Sequence, residues 1–259
     1  MASPDPLGPR TQAENPAAAA PDADAGDADA VKIETAAVVQ RYARRGGLAD
    51  RYSLLRPEVW QMVQERQRVM IRLLLDHGLT ELPALRVVEV GCGTGGNLLE
   101  LLRLGFAPEN LVGIELLPDR AQAARRCLPQ AVQLIEGDAC VQAIEPGSQD
   151  IVLQSTVFSS LLDDRFQQQL ADAMWTWLRP GGGVLWYDFT MDNPRNPDVR
   201  GIPVRRIRRL FPAGRTDLRR VTLAPPLARL VCRVHPTLYR ALNVLPLLRT
   251  HVLAWIAKP

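Results

Sequence analysis

The chain has 259 residues, enough for one α/β domain with decoration, and its 47% apolar and 23% charged residues form an ordinary globular balance that excludes collagen-like, coiled-coil and disulfide-scaffold architectures. The net charge of +3 conceals an asymmetry: residues 1–30 carry six acids and one base, whereas from Arg195 onward 14 Lys or Arg accompany only Asp198 and Asp217. A basic C-terminal third suits a phosphorylated substrate, anionic lipid or nucleic acid, with a solvated Arg-rich surface as the plainer alternative. The four cysteines (Cys92, Cys127, Cys140, Cys232) form no CxxC pair and have no His at ligand spacing, so no metal site is expected. Free thiols, no apolar leader and no stretch long enough to cross a bilayer together predict a cytoplasmic location.

In chain order, residues 1–30 are Ala-, Pro- and Asp-rich without periodicity and read as a disordered acidic tail. Residues 31–80 read as an N-terminal helical lid, with helices over Val31–Arg44 and Pro57–His77, the second opened by Pro57 and stopped at Gly78. Residues 81–259 then alternate strand and helix. Strands are predicted at Arg86–Val90, Leu111–Glu115, Val132–Glu136, Asp150–Ser155 and Gly183–Phe189. Helices are predicted at Asn97–Leu104, Pro118–Cys127 and Asp163–Leu178, and Arg179–Gly182 reads as a turn. This alternation predicts an α/β fold with a parallel sheet covered by helices on both faces. Pro203–Leu210 is read as a helix, Asp217–Leu223 as a strand, the region near 225–245 as an inserted helical segment, and Thr250–Ala257 as a final strand forming an antiparallel hairpin at the sheet edge.

The strongest signal is Glu89-Val90-Gly91-Cys92-Gly93-Thr94-Gly95-Gly96, which follows a strand and opens a helix. Glycines there allow a tight turn and close backbone approach to a ligand, and the helix start presents unpaired N–H groups. Gly91, Gly93 and Gly96 also fit the dinucleotide pattern GxGxxG, so an NAD(P)-dependent oxidoreductase is the alternative. Glu89 weighs against it. A carboxylate two residues before the first glycine repels a pyrophosphate but suits the ammonium of an amino-acid moiety, as in S-adenosylmethionine (SAM). Glu115, ending the second strand, is placed to accept ribose hydroxyls from either cofactor. Asp138 and Ala139 follow the third strand and suit an adenine amine. Gln154 and Ser155 end the fourth strand, where ligands bind in open α/β sheets.

The segments EVGCGTG, GIEL, GDA, DIVLQS and RPGGG, in that order and spacing, resemble the class I SAM-dependent methyltransferase superfamily from Arg86 to Phe189. The resemblance implies a Rossmann-like, doubly wound seven-stranded sheet with a reversed C-terminal strand, and SAM as cofactor. It implies that Gly91, Gly93 and Gly95 line the methionine end, that Glu115 holds the ribose and Asp138 the adenine. The full cofactor set adds Glu89, Cys92, Thr94, Asn97, Leu116, Ala139, Gln154 and Ser155. It further implies that the N-terminal helices and the insertion before the last strand form the acceptor pocket. Flanking pieces, Arg51-Tyr52-Ser53-Leu54-Leu55, Trp186-Tyr187-Asp188-Phe189, Asn193-Pro194-Arg195-Asn196-Pro197 and Leu248-Arg249-Thr250-His251, are similar to methyltransferases associated with bacterial surface-polysaccharide assembly.

Methyl transfer from SAM is an in-line displacement that depends on positioning; an oxygen acceptor often needs a base, whereas a phenolate, amine or thiol can do without one. Asp188, at the end of the fifth strand, and His235, in the insertion, are the candidate catalytic residues. Tyr42 and Tyr52 as lid aromatics, and Arg195 in its proline-stiffened loop, are the candidate substrate-binding residues. The reading is a methyltransferase acting on a saccharide oxygen or another small polar acceptor; a non-catalytic SAM-binding module is a further alternative. A nucleic-acid acceptor is disfavoured, because Gln154-Ser155-Thr156-Val157 stands where amino-methylating nucleic-acid enzymes carry NPPY or DPPY. The insertion interleaves Leu and Val with Arg229, Arg233 and Arg240. It reads as a packed lid helix, with peripheral membrane contact as its alternative.

Overall fold

The computed structural model describes residues 23–44, 52–194 and 196–259, with side chains described from Ile33 onward. Its centre is a seven-stranded sheet of β1 (Val87–Val90), β2 (Leu111–Glu115), β3 (Gln133–Glu136), β4 (Gln149–Ser155), β5 (Leu178–Phe189), β6 (Arg215–Leu223) and β7 (Arg249–Ala257), ordered β3-β2-β1-β4-β5-β7-β6. The first five strands pair in parallel, and β7 runs antiparallel between β5 and β6. The reversed strand expected at the end of the chain is therefore present. It is inserted into the sheet, and β6 forms the edge. The apolar runs of β1 and β4 are buried along nearly their whole length, as a parallel sheet covered on both faces requires.

Each face has its own helical layer. On one side α1 (Ala23–Ala43), α5 (Asp164–Trp177) and α6 (Val204–Leu210) pack on Val88, Val152, Val184 and Trp186. On the other, α2 (Pro57–Asp76), α3 (Gly96–Leu104) and α4 (Pro118–Cys127) cover Val87, Ile151, Leu153 and Leu185. Local chemistry fixes the ends of these helices. The Asp163 carboxylate accepts the Phe166 N–H at 2.7 Å and caps α5. Pro57 occupies the first turn of α2, and Gly78 follows its end with φ +72°. A third, smaller apolar cluster lies under α7 (Pro225–Val234) and α8 (Thr237–Asn243), where Ala228, Cys232 and Tyr239 pack on Leu223.

Three boundaries differ from the sequence reading. Helix α1 begins at Ala23, inside the segment read as tail. Its Ala-rich stretch has high helix propensity, and its early aspartates favour the positive helix start. Strand β5 extends back through Arg179–Gly182, read as a turn. A register shift between Gln149 and Ile151 absorbs the irregularity, and Arg179 is held to Asp150 at 2.5 Å. The inserted segment is two helices, because Pro236 lacks an N–H and cannot continue α7.

Trp186 is fully buried, with ring centroids 4.6 Å from Phe158 and 6.2 Å from Phe211. It thereby joins β5 to the β4–α5 connection and to the end of α6. Trp186→Ala is expected to lower the unfolding free energy by about 3–5 kcal/mol, read as a lower urea midpoint at unchanged slope.

Candidate active site

The chain reverses its direction of travel across the sheet between β1 and β4, and the crevice at their C-terminal ends is where such sheets bind ligands. A cavity opens there, with about 740 Å³ of atom-free space including its mouth. Its walls come from the glycine loop and the ends of β2 and β3 (Gly91, Glu115, Leu116, Asp138, Ala139), the β4–α5 connection (Ser155, Thr156, Val157, Ser160), Arg120 of α4 and three residues of α1: Thr35, Val38 and Tyr42. Phe166 and Leu170 form its apolar floor with Val90 and Ile114.

The glycines are dictated by conformation and by space. Gly91 and Gly93 have φ of +65° and +60°; a Cβ on Gly91 would come within 2.6 Å of Val157, and one on Gly93 within 2.5 Å of the Arg120 guanidinium. Glu115, 4% exposed, holds this loop in place. One of its oxygens accepts the Gly93 N–H at 2.7 Å, and the other accepts the Leu117 N–H at 3.0 Å. Asp138 sits across the cavity, accepting the Cys140 N–H at 2.9 Å and the Thr35 hydroxyl at 2.5 Å.

Glu89 lies beneath the loop with no exposed surface. Asn97 donates to its Oε1 at 2.6 Å, and its Oε2 has no partner. Burial pushes its pKa up to about 8, against the hydrogen bond from Asn97 and the positive charge of Arg66. A buried, unpartnered carboxylate oxygen beside a tight glycine loop, with a second carboxylate at the end of β2, fits a ligand that carries an ammonium group and a diol. It does not fit a pyrophosphate.

Helix α1 closes the cavity. Glu34 and Arg41, both buried, pair at 2.5 Å; Arg41 donates to the Ser160 carbonyl at 3.0 Å, and Glu34 accepts the Leu162 N–H at 2.8 Å. The Arg120 guanidinium lies 5.1 Å over the Tyr42 ring, and the Tyr42 hydroxyl is 3.4 Å from Ser160 Oγ.

A second, narrow cleft lies on the opposite side of β4. Arg66 and Met70 of α2, Asn97 and Glu100 of α3, Ser155 of β4 and Tyr187 of β5 line it, and Ser155 borders the large cavity as well. Arg66 pairs with Glu100 at 2.9 Å and lies 5.2 Å over the Tyr187 ring. Behind Tyr187 its hydroxyl meets Thr222 Oγ1 at 2.9 Å, and its ring stacks on His251, whose pKa burial and Arg66 lower to about 4.

The expected residues therefore divide. Gly91, Glu115, Leu116, Asp138, Ala139, Ser155 and Tyr42 meet at the large cavity, and Asn97 reaches the cleft. Cys92 is buried against the β2 side, and Gln154 is turned inward, donating to the Tyr187 carbonyl at 3.3 Å and accepting the Val157 N–H at 3.1 Å. Asp188 borders neither cavity. It is fully buried, and its oxygens accept the N–H groups of Ser159 at 3.1 Å and Phe189 at 2.9 Å, while burial raises its pKa to about 7. Its work is to tether the β4–α5 connection. His235 is exposed in the α7–α8 turn, bonded to Thr237 at 2.6 Å, and Tyr52 is 67% exposed; neither borders a cavity. Arg195 lies outside the described residues. Sequence reasoning did not single out Thr35, Arg66 or Arg120. Each belongs to a helix whose pattern carries no local sign of the distant loop it meets.

Residues 87–182 match a family described as a methyltransferase domain. Over 111 residues the chain is 29% identical to the tRNA N(3)-methylcytidine methyltransferase Mettl2 of Drosophila melanogaster; that match covers 40% of this chain and 34% of the relative, so the chain spans about a third of its length. Among solved structures, a SAM-dependent methyltransferase from Thermotoga maritima, described as a possible histamine N-methyltransferase, superposes with a TM-score of 0.56 at 16% identity, over 86% of this chain and all of that one. A SAM-dependent methyltransferase from Archaeoglobus fulgidus gives 0.54 at 16% identity, over 77% and 96% of the two chains. At these identities the two structures speak to the fold alone. The matched segment is a methyltransferase domain, and the sheet around it has the fold of SAM-dependent methyltransferases; the cofactor of such a domain is SAM.

Glu89 gives a pH signature. Its folded pKa of about 8 lies above the ordinary carboxylate value, so its contribution is fully present at acid pH and is lost as pH rises toward 8. Relative to Glu89→Gln, the ligand-free wild type is expected to lose more than about 1 kcal/mol of stability between pH 5 and pH 8, measured by urea unfolding at both values.

Proposed function

We propose that this chain transfers the methyl group of SAM to an oxygen of a saccharide or another small, hydroxyl-rich acceptor. The observation that carries this reading is Ser155, which ends β4 and borders both the large cavity and the narrow cleft. Cofactor and acceptor approaching from those two sides meet at one strand end, as an in-line transfer needs. The cleft sets the Arg66 guanidinium and the unpartnered Oε1 of Glu100 beside the Tyr187 ring and the apolar Met70, Leu153 and Leu185, a few polar groups on an apolar wall, which suits the hydroxyls and ring faces of a saccharide. The resemblance of the flanking segments to polysaccharide-associated methyltransferases supports the same acceptor class.

Bound SAM supplies an electrophilic methyl group on a sulfonium. In our assignment Glu89 and the Gly91–Gly95 loop, with Cys92, Thr94 and Asn97 around it, hold the amino-acid end. Glu115 and Leu116 take the ribose, and Asp138 and Ala139 the adenine, with the Thr35 hydroxyl giving up its bond to Asp138. Tyr42 and Arg120 close over the cavity. Asp188 and His235 are not assigned as bases, because one is saturated by backbone N–H groups and the other is remote; in our assignment the acceptor hydroxyl gives its proton to Glu100, which lines the cleft with its Oε1 unpartnered, as the methyl leaves the sulfonium and the neutral thioether departs. A cytoplasmic location agrees with four free cysteines and with the absence, among the described residues, of a helix long and apolar enough to cross a membrane.

A second reading takes its motive from Mettl2, whose name gives it a tRNA substrate, and from the basic C-terminal third of this chain. One assay separates the two. Purified protein is given SAM labelled on its methyl group and offered a hydroxyl-rich glycan pool or bulk tRNA. Label is expected in the glycan fraction; label confined to tRNA would reject the saccharide reading. Arg66→Ala is expected to lower kcat/KM by about tenfold or more, with cofactor affinity within about threefold of wild type.

A cofactor variant completes the test. Glu115→Ala removes the loop tether and the ribose carboxylate together. It is expected to weaken S-adenosylhomocysteine (SAH) binding by at least about 30-fold, two charge-assisted bonds being worth more than about 2 kcal/mol, measured calorimetrically on protein whose circular dichroism is unchanged.

A further inference from the structure

The inserted α7–α8 region leaves an apolar surface uncovered. Leu230, Val234, Leu238, Val244, Leu245 and Leu247 are between 38% and 93% exposed, packed into one short stretch of chain. On α7 the burial is one-sided: Ala228 and Cys232 face the protein, while Leu230 and Val234, one turn apart, face outward. Arg229 and Arg233 form a parallel stripe beside them, also one turn apart, and Arg240 follows on α8. None of these three guanidiniums pairs with a carboxylate among the described residues; Arg240 bonds only the amide oxygen of Gln61, at 3.3 Å.

The stretch of chain itself carries charge of one sign. From Leu218 to Pro259 the chain contains no acidic residue; Glu58 at the start of α2 is partly buried beside Cys232, and Glu65 is buried beneath Tyr239. A soluble protein partner of ordinary composition would need neither an acid-free segment nor unpaired arginines flanking leucines. An anionic lipid surface needs both: apolar side chains for the acyl boundary and guanidiniums for the headgroup phosphates.

We propose that the α7–α8 face is a docking surface for an anionic lipid bilayer, which Leu230, Val234 and Leu247 enter while Arg229, Arg233 and Arg240 meet the headgroups. The docked face is tied rigidly to the acceptor cleft. Tyr239 of α8 donates to Glu65 at 2.7 Å, Glu65 accepts the Thr222 N–H at 3.2 Å, and Thr222 Oγ1 meets the Tyr187 hydroxyl at the cleft wall. A membrane on this face therefore holds the cleft at a fixed distance from lipid-borne acceptors.

The test is co-sedimentation of the full chain with vesicles of phosphatidylglycerol and phosphatidylcholine, and with phosphatidylcholine alone. Sedimentation with the anionic vesicles is expected, weakened by salt and slight with the neutral ones. Arg229→Gln with Arg233→Gln is expected to lower the affinity by about tenfold or more. Leu230→Ser, Val234→Ser and Leu247→Ser combined is expected to abolish binding; all three side chains are exposed, and unchanged circular dichroism and urea midpoint show that the fold is kept. No sedimentation with anionic vesicles, or equal sedimentation by wild type and both variants, overturns the proposal. So does a concentration-dependent dimer of the wild type that the serine variant loses, which would make the face a self-association surface.

Discussion

The site depends on the two hydrogen bonds that Glu115 accepts from the backbone. The Gly93 N–H belongs to a loop whose glycines have left-handed torsion angles, and the Leu117 N–H belongs to the turn that starts α4. One buried carboxylate thus joins the exit of β1 to the exit of β2 and holds the glycine loop against the cavity. Replacing it by alanine would leave the buried Gly93 N–H and the part-buried Leu117 N–H without their partner, at a cost of about 1–3 kcal/mol for the buried one. The side chain that shapes the cavity is the same one we assign to the ribose.

Around that clamp the protein spends stability on function. Glu89 is buried with one oxygen unsatisfied, so in the ligand-free protein burial holds a proton on it that an ammonium group would displace. Helix α1 in turn lends its Thr35 to Asp138 and packs Tyr42 under Arg120, filling ligand-sized space with its own side chains. These contacts are replaceable ones: a hydroxyl and a stacked cation, each of which an adenosine could substitute with its amine and its ring.

Much of this was legible before any coordinates. Short apolar runs, closed by Gly after β1, by Glu115 in β2 and by Gln154-Ser155 in β4, mark these three strands to within a residue, because a doubly covered parallel strand admits little else. Glu89, Glu115 and Asp138 stand out in the sequence because strand ends are where the fold presents polar groups. Other features were hidden for physical reasons. Asp188 also ends a strand, yet it points into the sheet's own loop, and the period of a strand does not distinguish a side chain that meets ligand from one that meets backbone. His235 was drawn toward the pocket by the assumption of a single lid helix; the break at Pro236 moves it outward. Arg66 and Arg120 could not be found locally, since helix–loop contacts across dozens of residues leave no mark on helical periodicity.

The central claim is that the carboxylates flanking the glycine loop select an aminoacyl nucleoside and reject a dinucleotide. Calorimetric titration of the purified chain with SAH and, separately, with NADH at neutral pH tests it most directly. The account predicts one saturable SAH site and no heat of binding with NADH. Saturable NADH binding with none for SAH would contradict it, and the loop would then be a pyrophosphate cradle despite Glu89.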